Sequence, residues 1–244
     1  MQRPAALLLV FLAVSLPLSA AGVFAGSPSN AEQTSSQRDA VQQTSFDRNR
    51  VVLTVHENGS TKWTFHYRRT LNNASERRDF RSFSDEFNSN ETSLYRGFKS
   101  NAETLTSEGQ NVTGREMNAR SFSRRAYVSN TTFGQPVGAV EMSFVWTRFA
   151  VVRGERVIVG DVFEGGLYLR PGLTLVVSPD PGLAFDSVDP AGTPSNASSL
   201  RGSDSVTWQG EKEFTDNRPR VVFVPPEAAS RSSTPSRGTG GNGS

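Results

Sequence analysis

The two histidines are the first residues to consider for metal binding or proton transfer. The chain has 244 residues, with His56 and His66 as its histidines and no cysteine. Thiolate metal sites, a thiol nucleophile and disulfides are therefore excluded. Both histidines are predicted on the polar faces of adjacent strands, offset by four residues or about 13 Å at the rise of a strand. We expect them to be structural or exposed and not to share a metal ion.

Two groups of acidic residues offer further chemistry. Asp180, Asp186 and Asp189 lie in one turn-rich segment and could hold calcium with backbone carbonyls, although their spacing is not that of an EF-hand. Asp161 and Glu164 could form the carboxylate pair of a glycoside hydrolase, but such a pair at a strand end is more often simply exposed. The sequence has no GxSxG, HExxH, P-loop or GxGxxG pattern. We expect no catalytic residue, no metal, no cofactor and no enzymatic activity.

Asparagine sequons are the most frequent chemical motif. Asn-x-Ser/Thr occurs seven times, and a chain rich in Asn, Ser and Thr produces some of these by chance. Most are predicted in turns, where a glycan would be tolerated. We expect several to be glycosylated in an extracytoplasmic protein, and the candidates are Asn58, Asn73, Asn90, Asn111, Asn130 and Asn196.

The N-terminus has the layout of a secretory signal peptide. A basic start over residues 1–3 precedes the apolar run 5–16, and Pro17 with small residues completes the segment 1–25. Cleavage after Ala21 or Ala25 satisfies the small-residue rule. The alternative is an uncleaved N-terminal anchor, because about 20 residues can cross a bilayer. Either alternative places the rest of the chain outside the cytoplasm, secreted or anchored to the cell membrane.

The densest apolar pattern lies over residues 139–166. Val140, Met142, Phe144 and Trp146 alternate with other residues in the period of a strand with one buried face. The parity changes beyond Arg148, which predicts a bulge near residues 147–148. A turn at 153–156 and a second, wholly buried strand over 157–163 would complete a central hairpin. We expect this hairpin to be the most stable part of the domain.

A second hairpin is predicted nearer the N-terminus. Residues 51–55 and 63–67 each show strand alternation around an Asn-Gly turn. A two-residue loop, Asn58-Gly59, would place the apolar sets of the two strands on opposite faces. A three-residue loop over 58–60 would pair Val55 with Trp63 and bury both sets together, so we favour that register.

Phenylalanines spaced by three and four residues predict a helical insertion. Phe80, Phe83 and Phe87, followed by Leu94 and Phe98, indicate two short amphipathic helices between residues 75 and 106, broken near residues 88–90. The alternative is an irregular insertion pinned by these side chains. A turn over 110–115 and a strand over 117–128 are predicted to follow.

The overall charge is almost balanced. Lys and Arg total 26 against 24 Asp and Glu, which gives no general field for attracting nucleic acid. Arg120, Arg124 and Arg125 lie on the predicted strand 117–128. We interpret these three arginines as a solvated face of that strand and not as an anion site.

The domain organisation follows from these patterns. A polar leader over residues 26–49 and a tail or linker over 227–244 have too little apolar content to fold and are predicted to be disordered. Residues 50–226 supply further short strands over 166–169, 173–177, 205–209 and 220–224. The predicted fold is mainly β, an antiparallel β-sandwich of about eight to ten strands with a short helical insertion.

Five segments carry a resemblance to a known group of proteins. They are VVLTVHENGSTKWTFHYR over 51–68, TGREM over 113–117, FVWTRFAVV over 144–152, VGDVFEGGLYL over 159–169 and VTWQGEKEF over 206–214. With its N-terminal signal, the chain resembles secreted or membrane-anchored haloarchaeal proteins with a β-rich extracytoplasmic domain of unknown function. In relatives, a transmembrane helix and a winged-helix domain often follow. Neither is found in these 244 residues, and the charge is less acidic than salt adaptation usually produces.

The resemblance implies a non-catalytic extracytoplasmic domain, a cell-surface sensor or interaction module similar to the ectodomains of membrane-anchored transcriptional regulators. The partner is unknown; we expect a protein or a cell-envelope component and no nucleic acid. Two alternatives remain open. One is a secreted carbohydrate-active β-sandwich enzyme that uses Asp161 and Glu164, and the other is a structural protein of the envelope.

Overall fold

A computed structural model of the chain describes residues 48–130 and 134–227. The predicted signal peptide, most of the leader, nearly all of the predicted tail and the sequon at Asn242 lie outside the described residues. The secondary structure is mainly β, with two α-helices in the described part. The elements are β1 Arg48–Val55, β2 Thr61–Thr70, α1 Ala74–Ser89, α2 Ser93–Thr113, β3 Ala119–Asn130, β4 Pro136–Trp146, β5 Val151–Arg153, β6 Arg156–Val159, a 3-10 helix Asp161–Phe163, β7 Leu167–Leu169, β8 Leu173–Pro179, β9 Ala184–Asp189, β10 Thr193–Pro194, β11 Val206–Gln209, β12 Lys212–Phe214 and β13 Arg220–Val224.

The strands form a large sheet, a smaller sheet and a short ribbon. The large sheet has seven strands in the order β10-β11-β8-β1-β2-β4-β3, and the smaller sheet has four in the order β5-β6-β13-β9. Pairing is antiparallel except between β1 and β8. Buried side chains of both sheets belong to one hydrophobic cluster. The prediction of a mainly β, antiparallel sandwich is confirmed, although short strands raise the number of described strands to thirteen.

The inner face of the large sheet carries the core. Leu53 of β1 lies opposite Trp63 of β2, and Trp63 lies opposite Phe144 of β4. All three are fully buried. Removing each of these side chains from water stabilises the fold by roughly 1.5–3 kcal/mol. The alternation predicted from the sequence therefore identifies this face correctly.

The register of β1 and β2 differs from the predicted one because the loop between them differs. Val55 pairs with Thr61 and not with Trp63, because the loop consists of residues 57–59. The backbone N–H of His56 donates to the Ser60 carbonyl at 2.9 Å, and Gly59 closes the loop with φ +76°. The actual and predicted registers differ by two residues, so both place the same side chains in the core.

The predicted central hairpin is wrong in its pairing. β4 pairs with β2 and β3 in the large sheet, whereas β6 pairs with β5 and β13 in the smaller sheet. The change of parity near Arg148, which has φ 53°, marks the place where the chain leaves one sheet for the other. The predicted strand over 157–163 ends at Val159, and a 3-10 helix follows at Asp161–Phe163.

The two helices cover the inner face over β3 and β4. Phe98 of α2 packs edge-on against Phe65 and Phe144, with ring centroids 5.5 and 6.0 Å apart. Phe80 of α1 packs so closely on β4 that a Cβ at Gly138 would lie 2.6 Å from its ring. The predicted pair of helices is confirmed, but the turn predicted over 110–115 is wrong. α2 continues to Thr113, and Gly114 ends it in the left-handed conformation.

Candidate functional site on the outer face of the large sheet

The outer face of the large sheet turns away from the core. It consists of the residues that alternate with the buried ones along β1, β2, β4, β3 and β8. Most of these side chains are exposed or half-exposed, although Ala139, Ser143 and Val176 are buried. Five cationic side chains of this face are exposed, and we call them the outer-face cations: Arg50, Lys62, Arg68, Arg120 and Arg125.

The charge of this face differs from that of the rest of the molecule. Among the described residues of these strands, Glu141 is the single acid on the outer face, so five cations face one carboxylate. The chain as a whole carries a net charge of +2. The four net positive charges of this face therefore exceed the charge of the whole chain, and the remainder is net negative.

The outer-face cations have no carboxylate partner in the described part of the chain. Several arginines elsewhere contact a carboxylate. Arg156 contacts Asp186 at 2.7 Å, and Arg218 contacts Asp189 at 2.8 Å. The fold thus neutralises some arginines with local acids, whereas these five cations lie together on one face and are available to an external anion.

Arg124 does not belong to the basic face that the sequence predicted. A bulge between Arg120 and Ser123 shifts the register of β3, and Ser121 adopts φ 54° within it. Arg124 consequently lies opposite Met142 on the inner side, with its guanidinium 4.4 Å from the centroid of the Tyr95 ring. Its Nε is buried without a hydrogen-bond partner among the described residues. Arg120 and Arg125 remain exposed on the outer face.

A hydrogen-bonded group occupies the middle of the face. The Tyr127 hydroxyl donates to Glu141 Oε1 at 2.7 Å, and His66 Nδ1 lies 3.3 Å from the same oxygen. Burial lowers the pKa of His66, and the Glu141 carboxylate only partly opposes this shift. Burial and the hydrogen bond to Glu141 raise the pKa of Tyr127. The Arg125 guanidinium covers the Tyr127 ring at 4.4 Å from its centroid.

A polar groove lies at the hairpin end of this face. It comprises two depressions of about 580 and 330 Å³ that share Asn58, Ser60 and Arg120. His56 Nδ1 lies 2.8 Å from Asp180 Oδ2 at one wall. We call these two depressions together the hairpin-end groove. Its remaining lining residues are Glu57, Ser121, Val145, Glu116, Asn118, Thr147 and Arg148.

Two lining residues of the hairpin-end groove have strained backbones. Ser121 and Arg148 have φ angles of 54° and 53°, a region that residues other than glycine rarely adopt. Such strain persists only where surrounding packing imposes it, and it is concentrated at functional sites. The groove therefore combines the Arg120 guanidinium with three carboxylates, those of Glu57, Glu116 and Asp180. This arrangement suits recognition of a polar group.

The acidic residues considered from the sequence are separated in space. Asp180 contacts His56, Asp186 contacts Arg156 and Arg201, and Asp189 contacts Arg218. The calcium hypothesis is not supported, because the three carboxylates have separate cationic partners. Within residues 48–130 and 134–227, no group of three or more His, Cys, Asp or Glu residues is placed to hold a metal ion.

Asp161 holds a structural position. Both of its carboxylate oxygens accept hydrogen bonds from Arg115, one of them from Nη2 at 3.0 Å. The same guanidinium donates to the carbonyls of Arg148 and Phe149, each at 2.9 Å. Arg115 thereby ties the end of α2 to the 3-10 helix. Glu164 is half-exposed at the C-terminal end of that helix.

The chain matches one known protein family. The model of one family, described as a domain of unknown function, DUF7345, matches residues 52–183. The chain belongs to the DUF7345 family. No curated protein matches the chain. The matched range contains four of the outer-face cations and the whole hairpin-end groove, and Arg50 lies two residues before it.

The folded unit extends beyond the DUF7345 match. β11 pairs with β8 of the large sheet, and β13 pairs with β6 of the smaller sheet, although β11 and β13 follow residue 183.

No helix in the described part of the chain is long and apolar enough to span a membrane.

All six candidate sequon asparagines are exposed on the DUF7345 chain. Asn58 lies in the β1–β2 loop, where its Oδ1 accepts from the Ser60 hydroxyl at 2.6 Å. Asn73 caps α1 by accepting from the Glu76 N–H, and Asn90 follows that helix. Asn111 lies inside α2 and not in a turn as predicted. The other two are Asn130, at the end of β3, and Asn196, in a loop after β10.

Proposed function

We propose that this DUF7345 chain is a non-catalytic extracytoplasmic domain that acts as a cell-surface sensor or interaction module. The observation that carries the proposal is the group of five outer-face cations without carboxylate partners. Charges of one sign gathered on one sheet face repel one another, which is a cost to the folded domain. An external partner gives them a role.

The location of the domain rests on the sequence. Residues 1–25 have the composition of a secretory signal, which would carry the domain across the membrane. The sequence segments similar to haloarchaeal ectodomains favour the same location and a relationship to the ectodomains of membrane-anchored regulators. Exposed asparagines in Asn-x-Ser/Thr sequons suit a glycoprotein at the cell surface.

Surface labelling tests the location. The chain has three lysines, Lys62, Lys99 and Lys212, of which Lys62 is exposed and the other two are half-exposed. Intact haloarchaeal cells expressing the full chain would be treated with a membrane-impermeant amine reagent, with a cytoplasmic protein as the control. We expect the Lys62 peptide to be labelled in intact cells. Labelling that requires lysis would refute an extracytoplasmic position.

Sedimentation with cell envelopes tests the interaction. The purified full chain would be mixed with washed envelopes and centrifuged over a range of protein concentrations. We expect saturable co-sedimentation, because an interaction module has a limited number of partner sites. A chain that stays in the supernatant at every concentration would not be a module for an envelope partner.

A further inference from the structure

The outer-face cations form two rows across the large sheet. Lys62 and Arg120 lie on either side of Val145, two strands apart or about 10 Å. The second row runs across four strands, from Arg50 of β1 through His66 and Glu141 to Arg125 of β3. Arg50 and Arg125, at its two ends, are about 14 Å apart.

The cations therefore cover an extended patch. Along β2, His66 lies four positions after Lys62, so the two rows are about 13 Å apart. Arg68 lies two positions after His66, about 7 Å further along the same strand. A single small anion would reach one row only. A polymer with repeated anionic groups would contact both.

The cation types and their neighbours indicate the chemistry of that polymer. Four of the five are arginines, whose planar guanidinium binds carboxylate or sulfate oxygens through two parallel hydrogen bonds. Hydroxyl side chains lie among and beside them on the same face: Thr54, Thr64, Ser123, Thr174 and Ser178. Hydroxyls of this kind can exchange hydrogen bonds with sugar hydroxyls.

We infer that the outer face of the large sheet binds an anionic polysaccharide, carboxylated or sulfated, that crosses β1, β2, β4 and β3 and reaches Arg120 at the edge of the hairpin-end groove. This inference rests on the proposed function, since it names the partner of the interaction module. Arg120 belongs to both the cationic rows and the groove, whose carboxylates Glu57, Glu116 and Asp180 mark the end of the cationic face.

Other anionic partners fit this face less well. Protein interfaces have an apolar, often aromatic centre, but the exposed large hydrophobic residues of the described chain are Val112 on α2 and Val152 on β5. Single-stranded nucleic acid needs free aromatic rings for stacking, and Arg125 already covers the Tyr127 ring. Membrane-binding surfaces usually add a large exposed apolar group that inserts into lipid, whereas the apolar side chains on this face are the half-exposed Val52, Val137 and Val145.

Binding to defined polymers tests the inference with the full-length chain. The probes are fluorescently labelled polygalacturonate and dextran sulfate, with uncharged dextran as the control, and the readout is fluorescence anisotropy. We expect at least one anionic polymer to bind and dextran not to bind, with affinity falling as salt concentration rises. Binding to neither anionic polymer would overturn the inference. So would tighter binding to oligo(dT) or to anionic phospholipid vesicles than to both polymers.

Paired variants separate a specific face from general charge attraction. Arg68→Gln with Arg125→Gln removes two outer-face cations, and Arg78→Gln with Arg81→Gln removes two exposed arginines of α1. The first pair should weaken polymer binding about tenfold or more, as loss of charge-assisted hydrogen bonds predicts. The second pair should leave the affinity within about twofold. Equal losses would overturn the inference.

Controls separate misfolding and failure of the proposed function from failure of the inference. A second outer-face pair, Lys62→Gln with Arg120→Gln, should give the same loss if the first pair fails to fold. If the chain sediments with envelopes and no anionic polymer competes, the polysaccharide inference fails and the interaction module stands. If the chain binds polymer but never reaches the cell surface, the proposed function fails instead.

Discussion

Asn88 of α1 pairs with Ala126 of β3 in the manner of a neighbouring strand. Its Nδ2 donates to the Ala126 carbonyl, and its Oδ1 accepts from the Ala126 N–H, both at 2.8 Å. β3 is the last strand of the large sheet on that side. A side chain of the helical insertion thus occupies part of an edge that could otherwise pair with another chain.

Replacing this amide should cost stability and open the edge. Asn88→Ala leaves the partly buried N–H and carbonyl of Ala126 without partners, which should lower the free energy of unfolding by about 1–3 kcal/mol. Urea denaturation measures this loss, and light scattering measures any dimer or aggregate formed through β3. Asn101→Ala, at an exposed position of α2, is the control. Equal stability of the two variants would contradict a role for Asn88 at the edge.

Two glycines of α2 should respond in opposite directions to alanine. A Cβ at Gly109 would lie 2.5 Å from Trp146 Cζ2 and 3.1 Å from Met117 Sδ, so Gly109→Ala should destabilise the fold by about 1–3 kcal/mol through overpacking. Gly97 has no atom within 4 Å of the added Cβ, and Gly97→Ala should stabilise the helix by up to about 1 kcal/mol. Thermal unfolding followed by circular dichroism compares the two. A stabilising Gly109→Ala would show that the helix does not pack against Trp146 as described.

Both residues of the Arg115–Asp161 ion pair should stabilise the fold, and Arg115 should contribute more than Asp161. Asp161 is 40% exposed, so Asp161→Asn should cost no more than about 1 kcal/mol. Arg115→Ala also removes the donor to the carbonyls of Arg148 and Phe149, and it should cost about 1–3 kcal/mol. Urea unfolding of both variants gives the order. A larger loss for Asp161→Asn than for Arg115→Ala would show that the backbone contacts contribute little.

Stability should depend on pH through His66. Its pKa is lower in the folded chain than the ordinary 6.5, so the unfolded chain binds the proton more readily. Stability is therefore retained above the unfolded pKa and falls as pH decreases below about 6.5 toward the folded pKa. Urea midpoints between pH 7.5 and 5.5 should decline less steeply for His66→Gln than for the unchanged chain. Parallel declines would mean that other groups cause the pH dependence.

The sequence predicts individual elements better than their partners. Alternating apolar residues in β1, β2 and β4 identify the buried face, because side chains of a strand point to opposite sides in turn. The same pattern cannot show that β4 and β6 belong to different sheets. That separation depends on the left-handed conformation at Arg148 and on pairing with β13, which comes more than 60 residues later.

The sequence predicts Arg120 and Arg125 on an exposed face, but it could not show, for a related reason, that they share this face with the other outer-face cations. The outer-face cations come from three strands, and only the β1–β2 and β2–β4–β3 registers bring Arg50, Lys62 and Arg125 to one face. The balanced total charge of the chain conceals this asymmetry. The sequence pattern groups Arg124 with its neighbours, because a bulge at Ser121 leaves no clear signal in the alternation of polar residues.

Retention on washed cell envelopes tests the central claim most directly. The full chain, its Arg68→Gln/Arg125→Gln variant and its Arg78→Gln/Arg81→Gln variant would be compared at one salt concentration after thermal unfolding has shown that all three are folded. The account predicts that the outer-face variant is released into the supernatant while the helix variant sediments like the unchanged chain. Equal sedimentation of the two variants would contradict a binding role for the outer face of the large sheet.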